Sequence, residues 1–300
     1  MARSDNLTGA ILMMASMASF TINDTFMKAL AGEIPLFQVL FLRGIFTTIA
    51  VAVVAWWMGV LFARVSRRDA GSIALRMVGE IGAAYFFLTA LFNMPIANVT
   101  AILQALPLTI TLAAALFFGD PIGWRRMSAI LVGFVGVMLI VRPGAEDFTI
   151  YSVYVLAAVG FVTLRDLATR RLSKETPSML VTVITSTSIM VFFGVASLTI
   201  DWAPMDARAY GLTIGAAVMI IGGYLFSIMV MRVGEISFIA PFRYTGLIWA
   251  LLLGWLVFDE WPEPITLVGA AIVVGSGLFM LYREAQLGRQ TRFSHGPRPR

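Results

Sequence analysis

The sequence predicts an all-α membrane protein in which ten transmembrane helices form two inverted five-helix repeats. Three observations lead to this fold class. Hydrophobic residues make up 59% of the 300-residue chain and charged residues only 13%, about half the charged fraction of soluble domains. The apolar residues fall into ten long runs. The two halves of the chain also carry matching features in the same order.

The apolar runs predict where the spans lie. A helix that crosses the hydrocarbon core needs about 20 mainly apolar residues, and turn-forming residues such as Gly119-Asp120-Pro121 separate the runs. We therefore expect membrane helices over residues 7–30, 35–58, 70–93, 95–118, 123–141, 150–170, 177–200, 206–231, 235–258 and 263–283. The loops between them are short, so no soluble domain is expected.

Basic residues in the loops predict the orientation. With the N-terminus in the cytoplasm, the outer loops hold Arg142 and Arg208, and Lys28 lies at a helix end. The cytoplasmic side then holds a larger basic set: Arg3, Arg64, Arg67, Arg68, Arg125, Arg126, Arg170, Arg171, Lys174 and Arg232. Because cytoplasmic loops are enriched in Lys and Arg, we expect a bacterial inner-membrane protein with both termini in the cytoplasm. This distribution accounts for the net charge of +5, so no nucleic-acid partner is expected.

An internal repeat is visible in two pairs of aligned segments. Residues 20–28 in the first predicted helix align with residues 162–170 in the sixth, and both segments contain an aspartate and a basic residue four positions apart. Residues 97–120, in the fourth helix, align with residues 237–260 in the ninth. The shared order of these matches favours a true repeat over a chance likeness of apolar helices.

The odd number of helices in each half makes the repeat inverted. Because each half has five helices, the second half enters the membrane with the opposite orientation. We expect the first repeat over residues 1–142, the second over 143–288, and a disordered cytoplasmic tail over 289–300. In such folds a site lies near the membrane midplane, and the halves exchange conformations to alternate access to it.

Two segments carry a family resemblance. Asn98-Val-Thr-Ala-Ile-Leu-Gln-Ala-Leu-Pro107, followed by Leu116-Phe-Phe-Gly-Asp120, resembles the first EamA-type repeat of the drug/metabolite transporter superfamily. Arg243-Tyr-Thr-Gly-Leu-Ile-Trp249, followed by Trp255-Leu-Val-Phe-Asp-Glu260, resembles the second. Within this superfamily the chain most resembles the aromatic amino-acid exporters of the YddG type. The resemblance implies export of small organic metabolites, with aromatic and other apolar amino acids as the expected substrates.

Charged residues inside the predicted spans are candidates for function. A charge at the bilayer centre costs about 2.5–3.5 kcal/mol on insertion scales. We expect two gates, with Asp24 pairing with Arg43 near the outer side and Asp166 pairing with Arg243 near the inner side. The alternative is that these are permanent pairs whose long side chains reach the interface.

Four other charged residues in or beside the predicted spans need no gating role. Lys28 and Arg170 lie at helix ends, so we expect them to be permanent pairs whose side chains reach the interface. Arg76 and Glu80 are four residues apart near the inner end of the third predicted helix, which predicts an ion pair within that helix.

Polar and aromatic residues near mid-membrane predict a substrate cavity. Gln104 and Tyr244 occupy equivalent positions in the fourth and ninth helices, and both side chains need hydrogen-bond partners. We expect them to line the cavity together with Phe20, Asn23, Tyr85 and Trp249. For Trp249 a packing role is the alternative. The small residues Ala97 and Ala101 suit a helix–helix contact as well as a cavity wall.

Several function classes are disfavoured by what the sequence lacks. It has no cysteine and a single histidine, His295, so no catalytic residues, metal site or cofactor are expected. No P-loop or channel-filter sequence is present, which leaves a transporter ahead of an ATP-driven pump, a channel or an intramembrane enzyme. The expected partners are a small-molecule substrate and the lipid bilayer. A monomer is expected, although the sequence leaves the oligomeric state open. Uniport and proton antiport both remain possible, with Asp24 as the candidate proton carrier.

Overall fold

The computed structural model describes residues 2–144, 148–173, 175–230, 233 and 236–294. The regular secondary structure of these residues is helical throughout. Twelve α-helices and a short 3₁₀ helix follow one another in these parts: α1 Ala2–Lys28, α2 Leu36–Trp57, α3 Arg67–Asn93, α4 Ile96–Leu103, α5 Leu106–Phe118, α6 Trp124–Val141, α7 Ile150–Arg170, α8 Ser178–Ser197, α9 Ala207–Val230, α10 Ile236–Ile239, the 3₁₀ helix Ala240–Tyr244, α11 Thr245–Phe258 and α12 Pro264–Ser294.

The helices confirm the predicted membrane architecture. Among the described residues, nine helical segments are long and apolar enough to cross a membrane. α1 is not one of the nine, because it carries buried polar side chains: Ser16, Thr21, Asn23 and Thr25 are each at most 5% exposed. Its 27 residues nevertheless extend over about 40 Å, and it packs along α9 within the bundle. We therefore count α1 as the tenth membrane helix.

Two predicted spans are broken near their centres. α4 ends at Leu103, four residues before Pro107, because proline has no N–H and its ring excludes the carbonyl four positions earlier. In the second half, Pro241 lies in the 3₁₀ helix that separates α10 from α11. The spans predicted over 95–118 and 235–258 are therefore present, but each helix is interrupted at this point. Gln104 and Tyr244 lie at the two breaks, where irregular backbone is tolerated if it borders a cavity.

The contacts between helices match the predicted repeat, because replacing each helix by its equivalent in the other half gives another observed contact. The repeat relates α1 to α7, α2 to α8, α3 to α9, α4–α5 to α10–α11, and α6 to α12. The α1–α9 contact then corresponds to the α7–α3 contact, and α2–α9 corresponds to α8–α3. The α5–α7 contact corresponds to the α11–α1 contact, and the α2–α8 and α6–α12 contacts each correspond to themselves. This pattern is what two symmetry-related five-helix halves produce.

The α6–α12 contact depends on two facing glycines. A Cβ atom on Gly136 would lie 2.8 Å from the carbonyl oxygen of Gly269, and one on Gly269 would lie 2.7 Å from that of Gly136. Such distances are too short for any larger residue unless the helices move apart. Small residues that let backbones approach closely are a common means of helix association in membranes.

The C-terminal helix extends beyond its predicted end. We predicted a span that ends near residue 283 and a disordered tail over 289–300, whereas α12 continues to Ser294. Residues 295–300, which include His295, lie outside the described residues, as do Glu146, Asp147, Lys174 and Arg232. The repeat boundaries at 142 and 288 stay predictions.

Candidate functional site

Two large cavities lie in the described part of the bundle. Asp120 and Arg170 line the first, and Met58 and Pro177 line the second, so the mouths of both lie at the end of the bundle where α2, α5 and α7 terminate. Cavity A has a volume of about 680 Å³ and is bounded by α1, α4, α5, the 3₁₀ helix and α12. Cavity B has a volume of about 780 Å³ and is bounded by α2, α3, α8 and α9. Both volumes are typical of sites for small organic molecules.

Cavity A brings together five of the predicted site residues, namely Phe20, Asp24, Gln104, Arg243 and Tyr244. Tyr244 is only 6% exposed, and its hydroxyl has no hydrogen-bond partner among the described residues. The hydroxyl packs against Gly277 of α12, so the part of Tyr244 that the structure offers to the cavity is its aromatic ring. Much of the remaining wall is apolar. The cavity can therefore hold a molecule that has both apolar surface and a few polar groups.

Three predicted substrate contacts lie elsewhere. Tyr85 belongs to an aromatic cluster, with its ring centroid 5.2 Å from that of Phe86 and 6.4 Å from that of Tyr154. Trp249 is half-buried on α11 and is not part of either cavity wall. Asn23 is buried and forms hydrogen bonds with two charged residues, which the next paragraph describes. Their predicted roles in substrate binding stay predictions.

The predicted outer gate is a three-residue chain. Arg43 Nη1 donates to Asn23 Oδ1 at 3.1 Å, and Asn23 Nδ2 donates to Asp24 Oδ1 at 2.8 Å. Asn23 therefore lies between the two residues that we expected to pair directly. The chain joins α1 to α2, because Asn23 and Asp24 lie on the first helix and Arg43 on the second.

The predicted inner gate has a different partner in this conformation. Asp166 pairs with its neighbour Arg165 at 2.8 Å, whereas Arg243 lines cavity A. Arg165 Nη1 also lies 3.5 Å from Glu80 Oε1, which joins α7 to α3. The predicted pair of Arg76 with Glu80 is confirmed at 3.7 Å. The sequence alignment places Arg165 opposite Asn23, and each of these residues binds the aspartate that follows it.

An ion pair closes the end of the bundle opposite the cavity mouths. Lys28 Nζ lies 2.8 Å from Glu260 Oε1, and the two side chains are 9% and 27% exposed. Lys28 also donates to the carbonyl of Met94, and the Ile96 N–H donates to Glu260. These contacts join α1, α4 and the end of α11. Lys28 therefore forms an ion pair at its helix end, and its expected role as a permanent pair stays a prediction.

A second ion pair lies at the mouth of cavity A. Arg170 Nη1 is 2.7 Å from Asp120 Oδ2, and these side chains are 55% and 40% exposed. Both residues line the cavity. The repeat aligns Arg170 with Lys28 and Asp120 with Glu260. The two pairs are therefore equivalent contacts at opposite ends of the molecule, one buried and one exposed.

Comparison with known proteins decides the family. The model of the EamA-like transporter family matches residues 7–142. A riboflavin transporter of Vibrio cholerae is 30% identical over 81% of this chain and 83% of its own length. The chain belongs to the EamA-like transporter family. It is accordingly a multi-pass membrane transporter, as the sequence predicted.

Two further relatives bear on the substrate. An S-adenosylmethionine uptake transporter of Rickettsia conorii is 26% identical, over 93% of this chain and 94% of its own length. A pseudopaline exporter of Pseudomonas aeruginosa is 24% identical, over 89% and 93%. None of these three relatives is named for aromatic amino acids. The predicted likeness is confirmed for the family, and the narrower likeness to aromatic amino-acid exporters has no support from these relatives.

Proposed function

We propose that this protein moves a small organic metabolite across the bacterial inner membrane by alternating access. One observation carries the proposal: equivalent ion pairs at the two ends of the molecule are in unequal states. The Lys28–Glu260 pair is mostly buried, with 9% and 27% of its side chains exposed, and the Arg170–Asp120 pair at the mouth of cavity A is 55% and 40% exposed. In an inverted repeat, exchange of the two halves' conformations would exchange these states.

The exchange can be described in terms of these residues. In the opposite conformation the Arg170–Asp120 pair becomes buried and the Lys28–Glu260 pair becomes exposed. The orientation predicted from the basic residues places the mouth of cavity A in the cytoplasm, so the present conformation is inward-facing. The predicted pair of Asp166 with Arg243 belongs to the conformation in which this inner end is closed. Each of these two end pairs favours the state in which it is buried, because burial strengthens the attraction between its charges.

Cavity A is the proposed route of the substrate. Phe20 and Tyr244 offer aromatic surface, and Gln104, Asp24 and Arg243 offer polar contacts. This wall suits a molecule with a ring or other apolar part and a few polar groups. Aromatic amino acids meet this description, as do S-adenosylmethionine and riboflavin. The three relatives include proteins named for uptake and for export, so both directions require measurement.

Transport by the purified chain in proteoliposomes tests this function. We expect tryptophan, phenylalanine, S-adenosylmethionine or riboflavin to cross faster than in protein-free vesicles. Replacement Gln104→Ala should slow the compound that is moved by roughly two- to tenfold, because one hydrogen bond contributes about 0.5–1.5 kcal/mol. Rates for the two amino acids equal to those of empty vesicles would remove the amino-acid assignment. If none of the four compounds crosses faster than in empty vesicles, the proposed substrate class is contradicted.

A further inference from the structure

Among the described residues, five charged side chains line cavity A, and four of them are already engaged. The five residues are Asp24, Asp120, Arg126, Arg170 and Arg243. Asp24 belongs to the hydrogen-bonded chain that Asn23 extends to Arg43. Asp120 is paired with Arg170, and Arg126 has an interaction of its own within the structure. Of these five, the guanidinium of Arg243 remains.

The guanidinium of Arg243 belongs to the wall of cavity A. It forms no hydrogen bond or ion pair with the described residues, and Arg243 is exposed. Asp166, the acid that we expect Arg243 to bind when the inner end is closed, is held by Arg165 in this conformation. Arginines within membrane spans usually pair with an acid or line the path of a charged substrate. The open conformation therefore leaves a place for an anionic group beside Arg243.

Arg243 lies well inside the membrane region. It is in the 3₁₀ helix at the break of its span, and α11 continues from this break toward the closed end for 14 residues. Fourteen helical residues extend over about 21 Å, whereas the hydrocarbon core is about 30 Å thick. The backbone of Arg243 is therefore roughly a third of the way into the core from the mouth of cavity A. At this depth the charge has a functional rather than an interfacial setting.

A second hydrogen-bond donor lies beside the same break. The side chain of Gln104 lines cavity A and has no hydrogen-bond partner among the described residues. A Cβ atom on Gly246, three residues after Arg243, would lie 3.7 Å from Gln104 Nε2. An amide and a guanidinium together offer several N–H groups, and arginine suits the two oxygens of a carboxylate especially well.

We propose that cavity A binds an organic anion whose carboxylate contacts Arg243 and Gln104. The apolar part of the ligand lies against Phe20 and the ring of Tyr244, which line the same cavity. This proposal rests on the proposed transport route through cavity A and narrows its substrate class. A carboxylate is the group that the site recognises, and a positive group on the ligand is not required, because Asp24 and Asp120 are already engaged.

Equilibrium binding of labelled 3-phenylpropionate to the purified full chain in detergent tests this site. The anion should bind saturably and more tightly than 3-phenylpropan-1-ol or 3-phenylpropylamine, which place a neutral or a positive group at the same position. It should also bind at least as tightly as phenylalanine, which adds an ammonium group. Binding in detergent requires no transport, so failure here and failure of the proteoliposome assay are separate outcomes.

Replacement Arg243→Gln should weaken 3-phenylpropionate binding by roughly ten- to a hundredfold, because a hydrogen bond to a charged group is lost. Arg243→Lys should retain part of the affinity, since it keeps the charge. Arg125→Gln is the matched control: it removes the same charge at the same end of the bundle, but Arg125 does not line cavity A. Its affinity should equal that of the wild type.

Three results would overturn the proposal. The first is the absence of saturable 3-phenylpropionate binding. The second is tighter binding of the alcohol, the amine or phenylalanine than of the anion by the wild-type chain, a comparison that needs no variant to fold. The third is equal affinity of the Arg243→Gln and Arg125→Gln variants for 3-phenylpropionate.

Discussion

Two residues at equivalent positions of the repeat, Asn23 and Arg165, make similar polar contacts in the two halves. Asn23 and Arg165 each bind the aspartate that follows and also reach a charged residue on another helix. In the first half the contact leads to Arg43 on α2, and in the second to Glu80 on α3. Asn23 therefore links two charged residues in this structure, and its predicted contact with substrate stays a prediction.

Loss of the Asn23 amide should destabilise the protein. Asn23→Ala removes the acceptor of buried Arg43 and the donor to Asp24. A buried group that loses its partner costs about 1–3 kcal/mol, so we expect a lower midpoint of thermal unfolding in detergent. Asn93→Ala is the control, because its exposed amide donates only to Thr89 within the same helix. Equal midpoints for the two variants would contradict the linking role.

At this scale the sequence predicted part of the site. Residues that face the midplane at equivalent positions, such as Gln104 and Tyr244, could be found from the repeat. The contact between Glu80 and Arg165 could not, because it requires knowledge of which helices are neighbours.

At the scale of elements, the contact between α6 and α12 has the tightest geometric requirement. Gly136 and Gly269 face each other with no room for a Cβ atom. The packing pattern makes this contact its own equivalent under the repeat. The pair α6–α12 thus holds the two halves together at one edge of the bundle.

A methyl group at this contact should weaken the fold. Gly136→Ala forces the helices apart or strains the backbone, and overpacking of this kind typically costs about 1–3 kcal/mol. Gly160→Ala on α7 is the control, because nothing lies within 4 Å of its added Cβ. That change should leave stability unchanged or raise it slightly, since alanine favours helix over glycine. The folded yield and unfolding midpoint measure both effects.

The elements themselves were predictable, with one exception that has a physical cause. Long apolar runs and turn residues place the spans within a few residues. The breaks after Leu103 and before Thr245 were missed, because an apolar run that contains a proline still reads as a membrane helix. Proline inside a membrane helix is tolerated when neighbouring groups satisfy the freed backbone.

For the whole molecule, the repeat explains the relation between the two ends. The apolar runs and the order of the matched features were sufficient to predict the fold class, because both can be read directly from the sequence. The substrate is a different matter. Side chains from several separate helices form each cavity, and small changes in them alter what fits. This is why family membership is secure while the three relatives are named for three different compounds.

The central claim is that the buried Lys28–Glu260 pair closes one end in only one of two states. The reaction rate of a single cysteine with an impermeant maleimide tests it directly. Thr100→Cys places the thiol in the wall of cavity A, and the native chain has no other cysteine. A separate Glu33→Cys variant, exposed at the closed end, identifies the side of the membrane from which to add the reagent.

Glu260→Gln should raise the labelling of the cysteine at position 100 from that side several-fold, because the closed state loses the pair that stabilises it. Arg208→Gln breaks the exposed Arg208–Glu33 pair at the same end and should have little effect. Equal labelling in the parent, the Glu260→Gln variant and the Arg208→Gln variant would contradict the claim that the Lys28–Glu260 pair is a gate.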